Sequence, residues 1–188
     1  MSSIINSNQK ISLTNKLDEN EIIIEEKRTS QNFIIGKKIS NLIDDLLLNN
    51  KSLSIYSQKN KEQSKMVFNC KKKPKIKIKD YINRIIQYTG IENSSLIIAL
   101  IYLDRICLND ILITEYNIHR FLLMSLIISI KYNEDLIFDN KYYSEVAGVS
   151  IKEFNSLESE FLTIINFDLY IPDEEFFKYK FYLEKYTN

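Results

Sequence analysis

The chain has 188 residues, with 25 lysines and arginines against 25 aspartates and glutamates, so its formal net charge is zero. Proteins that mainly grip a phosphate backbone normally carry a basic excess, which counts against that class. Three glycines and two prolines are too few for the many turns of an all-β fold, and two cysteines with one histidine cannot alone complete a four-ligand zinc site.

Residues 1–30 are rich in Ser, Asn, Lys and Glu and read as a disordered tail. Their one apolar run, Ile22-Ile23-Ile24, could add a strand or a helical turn to a partner. No charged start followed by an apolar run and a small-residue cleavage site marks a signal peptide. With Cys70 and Cys107 read as reduced thiols, the expected location is cytoplasm and/or nucleus. From Phe33, the apolar residues Ile35, Ile39, Leu42, Ile43 and Leu46 recur at spacings of three and four, which predicts an amphipathic helix over 31–50. Residues 51–75 read as a polar linker with a small apolar patch at Met66-Val67-Phe68. Within it, Lys71-Lys72-Lys73-Pro74-Lys75 fits a nuclear-import signal or a nucleic-acid patch. A solvated linker is the preferred reading, since no aromatic residue interleaves for base stacking.

A helix carrying Tyr81, Ile82, Ile85 and Ile86 inward starts near Lys79 and stops at Gly90. Asn93-Ser94-Ser95 offers caps for the next helix, Leu96 to Leu108, apolar nearly all round. From Asn117 to Tyr132 follows the stretch around which the others are arranged. Its apolar residues cover every side of a helical wheel, which requires either a buried core helix or a membrane span. The apolar run is only about half of the roughly 20 residues a bilayer needs, so a central core helix is expected. Asn140 can cap a short helix closed by Gly148. Ser150-Ile151-Lys152-Glu153 is a capping box opening a helix to about Asn166, and Pro172 begins a last one over 173–188. The predicted class is all-α.

On the Ser150–Asn166 wheel, Glu158 falls inside the apolar sector, between Phe154, Phe161, Leu162 and Ile165. A carboxylate there is costly unless it is paired or reaches the surface. It is either a rim residue with an internal partner such as Lys131 or Arg84, or part of a face that a partner protein covers. Asp104 and Arg105 end a buried helix in a predicted internal ion pair, with Arg84 as a candidate partner. His119 reads as a packed, hydrogen-bonded residue. No nucleophile–base–oxyanion arrangement, phosphate-binding glycine loop or metal spacing is present, so no enzyme, cofactor, metal or small-molecule substrate is expected.

Three segments together resemble a cyclin box, most closely that of the P-type cyclins. Tyr102-Leu103-Asp104-Arg105 resembles the signature ending the second box helix. Asn117-Ile118-His119-Arg120, the aliphatic run and Lys131-Tyr132-Asn133-Glu134-Asp135 resemble the third. Asp139-Asn140-Lys141-Tyr142-Tyr143, Gly148 and Leu157-Glu158 through Phe161-Leu162 to Phe167-Asp168-Leu169 resemble the fourth and fifth. The likeness covers 76–172 and implies a single five-helix box around a central buried helix, with an extra N-terminal and a C-terminal helix. It departs from the family at Ser129-Ile130, where small residues usually precede the lysine.

The resemblance further implies a cyclin-dependent protein kinase as partner, with no nucleic acid and no membrane. Lys131 and Glu158 would meet the kinase's mobile regulatory helix, and Ile128, Tyr132, Leu162, Phe167 and Leu169 would receive a kinase side chain. Alternatives are a cyclin-fold transcription adaptor, against which a single box and zero net charge count, and a helical scaffold without a kinase.

Overall fold

The computed structural model describes residues 19–53, 58, 61 and 66–186, the side chains of 19–25 excepted. Among the described residues there are seven helices and no strand: α1 Glu19–Ser52, α2 Ile78–Thr89, α3 Asn93–Leu108, α4 Ile118–Asn133, α5 Asn140–Ala147, α6 Ile151–Ile164 and α7 Asp173–Lys185. The all-α reading therefore holds. None of these helices is long and apolar enough to cross a membrane.

Residues 121–130 of α4 are all buried, which is what an all-round apolar helix requires of its surroundings. Its two hydroxyls are satisfied within the helix, Ser125 donating to the Phe121 carbonyl (2.9 Å) and Ser129 to that of Leu126 (2.7 Å). Helices α3 and α6 pack against α4, α5 packs against α6 and α2, and α1 lies across α2, α3 and α7. Helix α2 shows the clean one-sided pattern, burying Ile78, Tyr81, Ile82, Ile85 and Ile86. Gly90 and Gly148 end α2 and α5 at φ 67° and 75°, the left-handed conformation that glycine adopts without penalty.

Several local readings need correction. The N-terminal helix begins at Glu19, not at 31. Its first turns are polar apart from Ile22-Ile23-Ile24, but residues 19–35 hold no proline or glycine to break a helix seeded further on. Residues 1–18 lie outside the described residues, as do the side chains of Ile22, Ile23 and Ile24. Helix α5 is capped by Asp139, whose side chain accepts from the Tyr142 amide (2.8 Å), and not by Asn140. Helix α3 has Glu92 as its cap residue, with no side-chain capping bond, while the Glu134 carboxylate accepts from the Glu92 amide (3.0 Å). The capping box of α6 is half made. Ser150 accepts from the Glu153 amide (3.1 Å), whereas the Glu153 carboxylate pairs with Arg120.

The linker reading fails at Phe68. This side chain is fully buried and stacks on Phe121 at a centroid separation of 3.9 Å, with Phe161 at 6.4 Å. The Arg120 guanidinium donates to the Val67 carbonyl (3.0 Å), and the Cys70 amide donates to that of Tyr116 (2.8 Å). Residues 66–70 are thus a built part of the core; residues 54–57, 59–60 and 62–65 lie outside the described residues.

Helix α1 is seated on α2 through Gly36. A Cβ there would stand 2.8 Å from Ile82 Cγ2 and 2.8 Å from Ile86 Cδ1. Gly36→Ala is expected to destabilise the fold by about 1–2 kcal/mol, because overpacking outweighs alanine's better helix propensity. A raised urea midpoint for this variant would show that the contact relaxes freely.

Candidate functional site

The C-terminal end of α4, the first residue of α5 and the middle of α6 converge on one polar network. Lys131 Nζ donates to Glu158 Oε1 and to Asn140 Oδ1. Asn140 Nδ2 donates to Glu158 Oε2 (2.8 Å) and to Asn155 Oδ1 (2.9 Å). The ammonium lies 5.9 Å from the Phe154 ring centroid and 6.0 Å from that of Tyr143, both rings being fully buried. Burial holds the Tyr143 phenol above its usual pKa, and its oxygen accepts from the Phe138 amide (3.0 Å).

Glu158 sits on an apolar face because Lys131 and Asn140 meet it there, which makes it an internally paired residue. It is also a surface residue, since the Lys131 and Glu158 side chains remain 25% and 18% exposed. An ammonium has three donors and a carboxylate about four acceptor sites. Two donors of Lys131 and two carboxylate bonds of Glu158 are engaged, so each group keeps capacity for a ligand arriving from solvent.

The other predicted site residues divide by depth. Ile128 is buried, Leu162 and Leu169 are half-buried, and Tyr132 and Phe167 are exposed. Phe167 is 67% exposed at φ 56°, directly after Asn166 at φ 55°. A bulky aromatic residue in the left-handed region costs of order 1–2 kcal/mol and persists only where the surroundings impose it. Here the Phe167 amide donates to the Leu162 carbonyl (2.8 Å), and neighbouring residues are held by α3. Tyr102 donates to the Leu169 carbonyl (2.8 Å), and Arg105 donates to the carbonyls of Asp168 (2.7 Å) and Tyr170 (3.2 Å) and to Glu175 Oε2 (2.8 Å).

Asp104 does not pair with Arg84. Its Oδ2 accepts from the Tyr179 hydroxyl on α7 (2.6 Å), while Arg84 reaches the Glu145 carbonyl (3.5 Å). The two arginines face different elements, and Arg105 serves the α6–α7 connection. His119 is hydrogen-bonded as expected, its Nε2–H donating to the Ile76 carbonyl (2.9 Å), and burial lowers its pKa.

Sequence reasoning missed Asn140 as the third member of the polar network, having assigned it to a helix cap. Leu136 and Ile137 are exposed at 84% and 55% in the connection after α4.

Comparison with known proteins gives these residues a context. The sequence model of the family described as Cyclin matches residues 5–169. The chain is 34% identical over 150 residues to Cyclin-U2-1 of Arabidopsis thaliana, covering 78% of this chain and 66% of that protein. It is 37% identical over 131 residues to Cyclin-U4-3 of the same plant, covering 69% and 58%. Over 113 residues it is 34% identical to the PHO85 cyclin-like protein psl1 of Schizosaccharomyces pombe, covering 58% and 46%. The chain thus spans between about half and two thirds of these relatives' lengths. Matched over most of its length by the family's sequence model, and all-helical around a buried central helix, the chain belongs to the cyclin family.

Proposed function

We propose that this chain is the regulatory subunit of a cyclin-dependent protein kinase and binds it through the face built on Lys131, Asn140 and Glu158. The observation that carries the reading is the preformed ion pair with unused hydrogen-bonding capacity, beside side chains left bare to water at Tyr132 and Phe167. Family membership and a relative named PHO85 cyclin-like support it.

In this reading the chain supplies no catalytic group. A protein kinase needs its lysine–glutamate pair assembled, which depends on the position of its regulatory helix. A partner that binds the helix-in state more tightly than the helix-out state shifts the population by that difference in affinity. Lys131 and Glu158, already held by one another and by Asn140, lose little freedom on binding, so their contacts favour one kinase geometry.

The test is direct. The purified chain should capture a cyclin-dependent kinase and raise its phosphotransfer to a peptide, with no turnover by the chain alone. Retention of duplex DNA with no kinase captured would favour the adaptor reading instead. A variant sharpens this. Phe167→Gly is expected to leave the unfolding free energy within about 1 kcal/mol, since relief of the positive φ offsets the extra chain entropy of glycine. Kinase capture should fall roughly tenfold, the loss of one well-placed aromatic contact. If stability falls by several kcal/mol while capture holds, Phe167 serves the fold alone.

A further inference from the structure

Although the chain is neutral overall, its charge is unevenly placed. Lys71, Lys72, Lys73, Lys75, Lys77 and Lys79 precede the first acidic residue of that stretch, Asp80, and all six are exposed. The stretch is pinned on both sides. Upstream, Phe68 is buried against Phe121 and the Cys70 amide donates to the Tyr116 carbonyl. Downstream, the Ile76 carbonyl accepts from His119, and Ile78 is buried in α2. Between these anchors, residues 71–75 are non-helical and make no backbone hydrogen bond to the described residues. The four lysines of this segment, Lys71, Lys72, Lys73 and Lys75, are exposed, and Pro74 is half-buried. Lys73 is tied only to Glu115, which Lys51 also contacts at 2.9 Å, and Lys71, Lys72 and Lys75 make no ion pair among the described residues.

An unpaired, non-helical backbone carrying closely spaced cations suits a groove that supplies main-chain partners for affinity and acidic pockets for successive side chains. Nucleic acid fits less well, because no aromatic residue interleaves for stacking and the chain lacks a basic excess. We propose that Lys71–Lys75 is a nuclear-import signal, recognised by the acidic groove of a nuclear import receptor. Pro74 helps by excluding helix from the segment and biasing Lys73 toward extended backbone. The signal lies against the start of α4, at His119, whereas Lys131 ends that helix. The span from 119 to 131 is about 18 Å at 1.5 Å per residue, so the two faces are built from different residues at opposite ends of α4. Glu115 competes for Lys73 and tempers the affinity.

The experiment compares the full chain with Lys72→Gln/Lys73→Gln/Lys75→Gln, whose exposed sites leave the core untouched. Each is tested for capture by the purified adaptor subunit of the import receptor. Each is also fused to a fluorescent carrier too large to diffuse into the nucleus. The expected result is at least a tenfold loss of capture and loss of nuclear accumulation in the triple variant, with an unchanged unfolding midpoint. Glu115→Gln should raise capture severalfold by freeing Lys73. Equal capture and equal nuclear accumulation of the wild-type and triple-variant chains would overturn the proposal. So would failure of the wild-type chain to bind the adaptor at micromolar concentration. Because kinase capture reads a different face, its loss or retention tests the regulatory-subunit reading separately.

Discussion

Replacing Glu158 by alanine is expected to weaken kinase capture by about 2–5 kcal/mol, roughly 30- to 4,000-fold. Part of that loss comes from the partner group left unpaired in the interface, and part from Lys131, released from its main anion. The isolated chain should lose far less, on the order of 1 kcal/mol. The pair is partly solvated, and Asn140 remains to accept from Lys131. Removing an unpaired carboxylate from an apolar face would leave the monomer unchanged or improved. The pairing with Lys131 and Asn140 reverses that sign. Urea unfolding of the isolated chain and kinase capture, measured on the same preparation, decide the matter. A loss above 3 kcal/mol in stability with capture intact would make the network structural only.

Phe68→Ala should be the most damaging of these changes to the fold, lowering stability by about 3–5 kcal/mol. The ring is fully buried between Phe121 and Phe161, both fully buried themselves, so its removal leaves a cavity with well-packed walls. A comparison with Lys71→Ala, three residues on and exposed, isolates the cause, since that change should stay within about 0.5 kcal/mol. The midpoint and slope of urea denaturation measure both. Equal, small effects from the two substitutions would mean that residues 66–70 do not hold to the core.

The contrast at Phe68 marks where the sequence was legible. Helices α2 to α6 follow from periodicity and from stops such as Gly90, because each buries a face or a whole surface that the pattern displays. Phe68 could not be found that way. Three apolar residues in a polar stretch have no period, and burial there is decided by Phe121, distant in the chain. Helix α1 was legible over its apolar half and invisible over its polar one, where continuity rather than amphipathicity extends it. Within the site, Lys131 and Glu158 were found by misplacement on a wheel and by family likeness. Asn140 was not, because an asparagine at a helix start already has an ordinary explanation as a cap. The positive φ at Phe167 was beyond reach, since a bulky aromatic residue is the last that local preference would place there.

The grip of Arg105 and Tyr102 on residues 168–170 bears on where this protein can be cut. The match to the family's sequence model stops at residue 169, and a fragment ending there would display every residue of the proposed kinase face. It would nevertheless lack Tyr170 and Glu175, which meet Arg105, and Tyr179, whose hydroxyl meets Asp104. It would also lack Leu183, buried against the core, and the Leu183 and Glu184 carbonyls to which Lys38 of α1 donates (2.6 and 3.1 Å). Helix α7 works as a buttress: it braces from behind the strained corner that presents Phe167 and bolts that corner to the N-terminal helix. The smallest piece that keeps the face in shape therefore runs to the end of α7 at Lys185, well past the end of the family model's match.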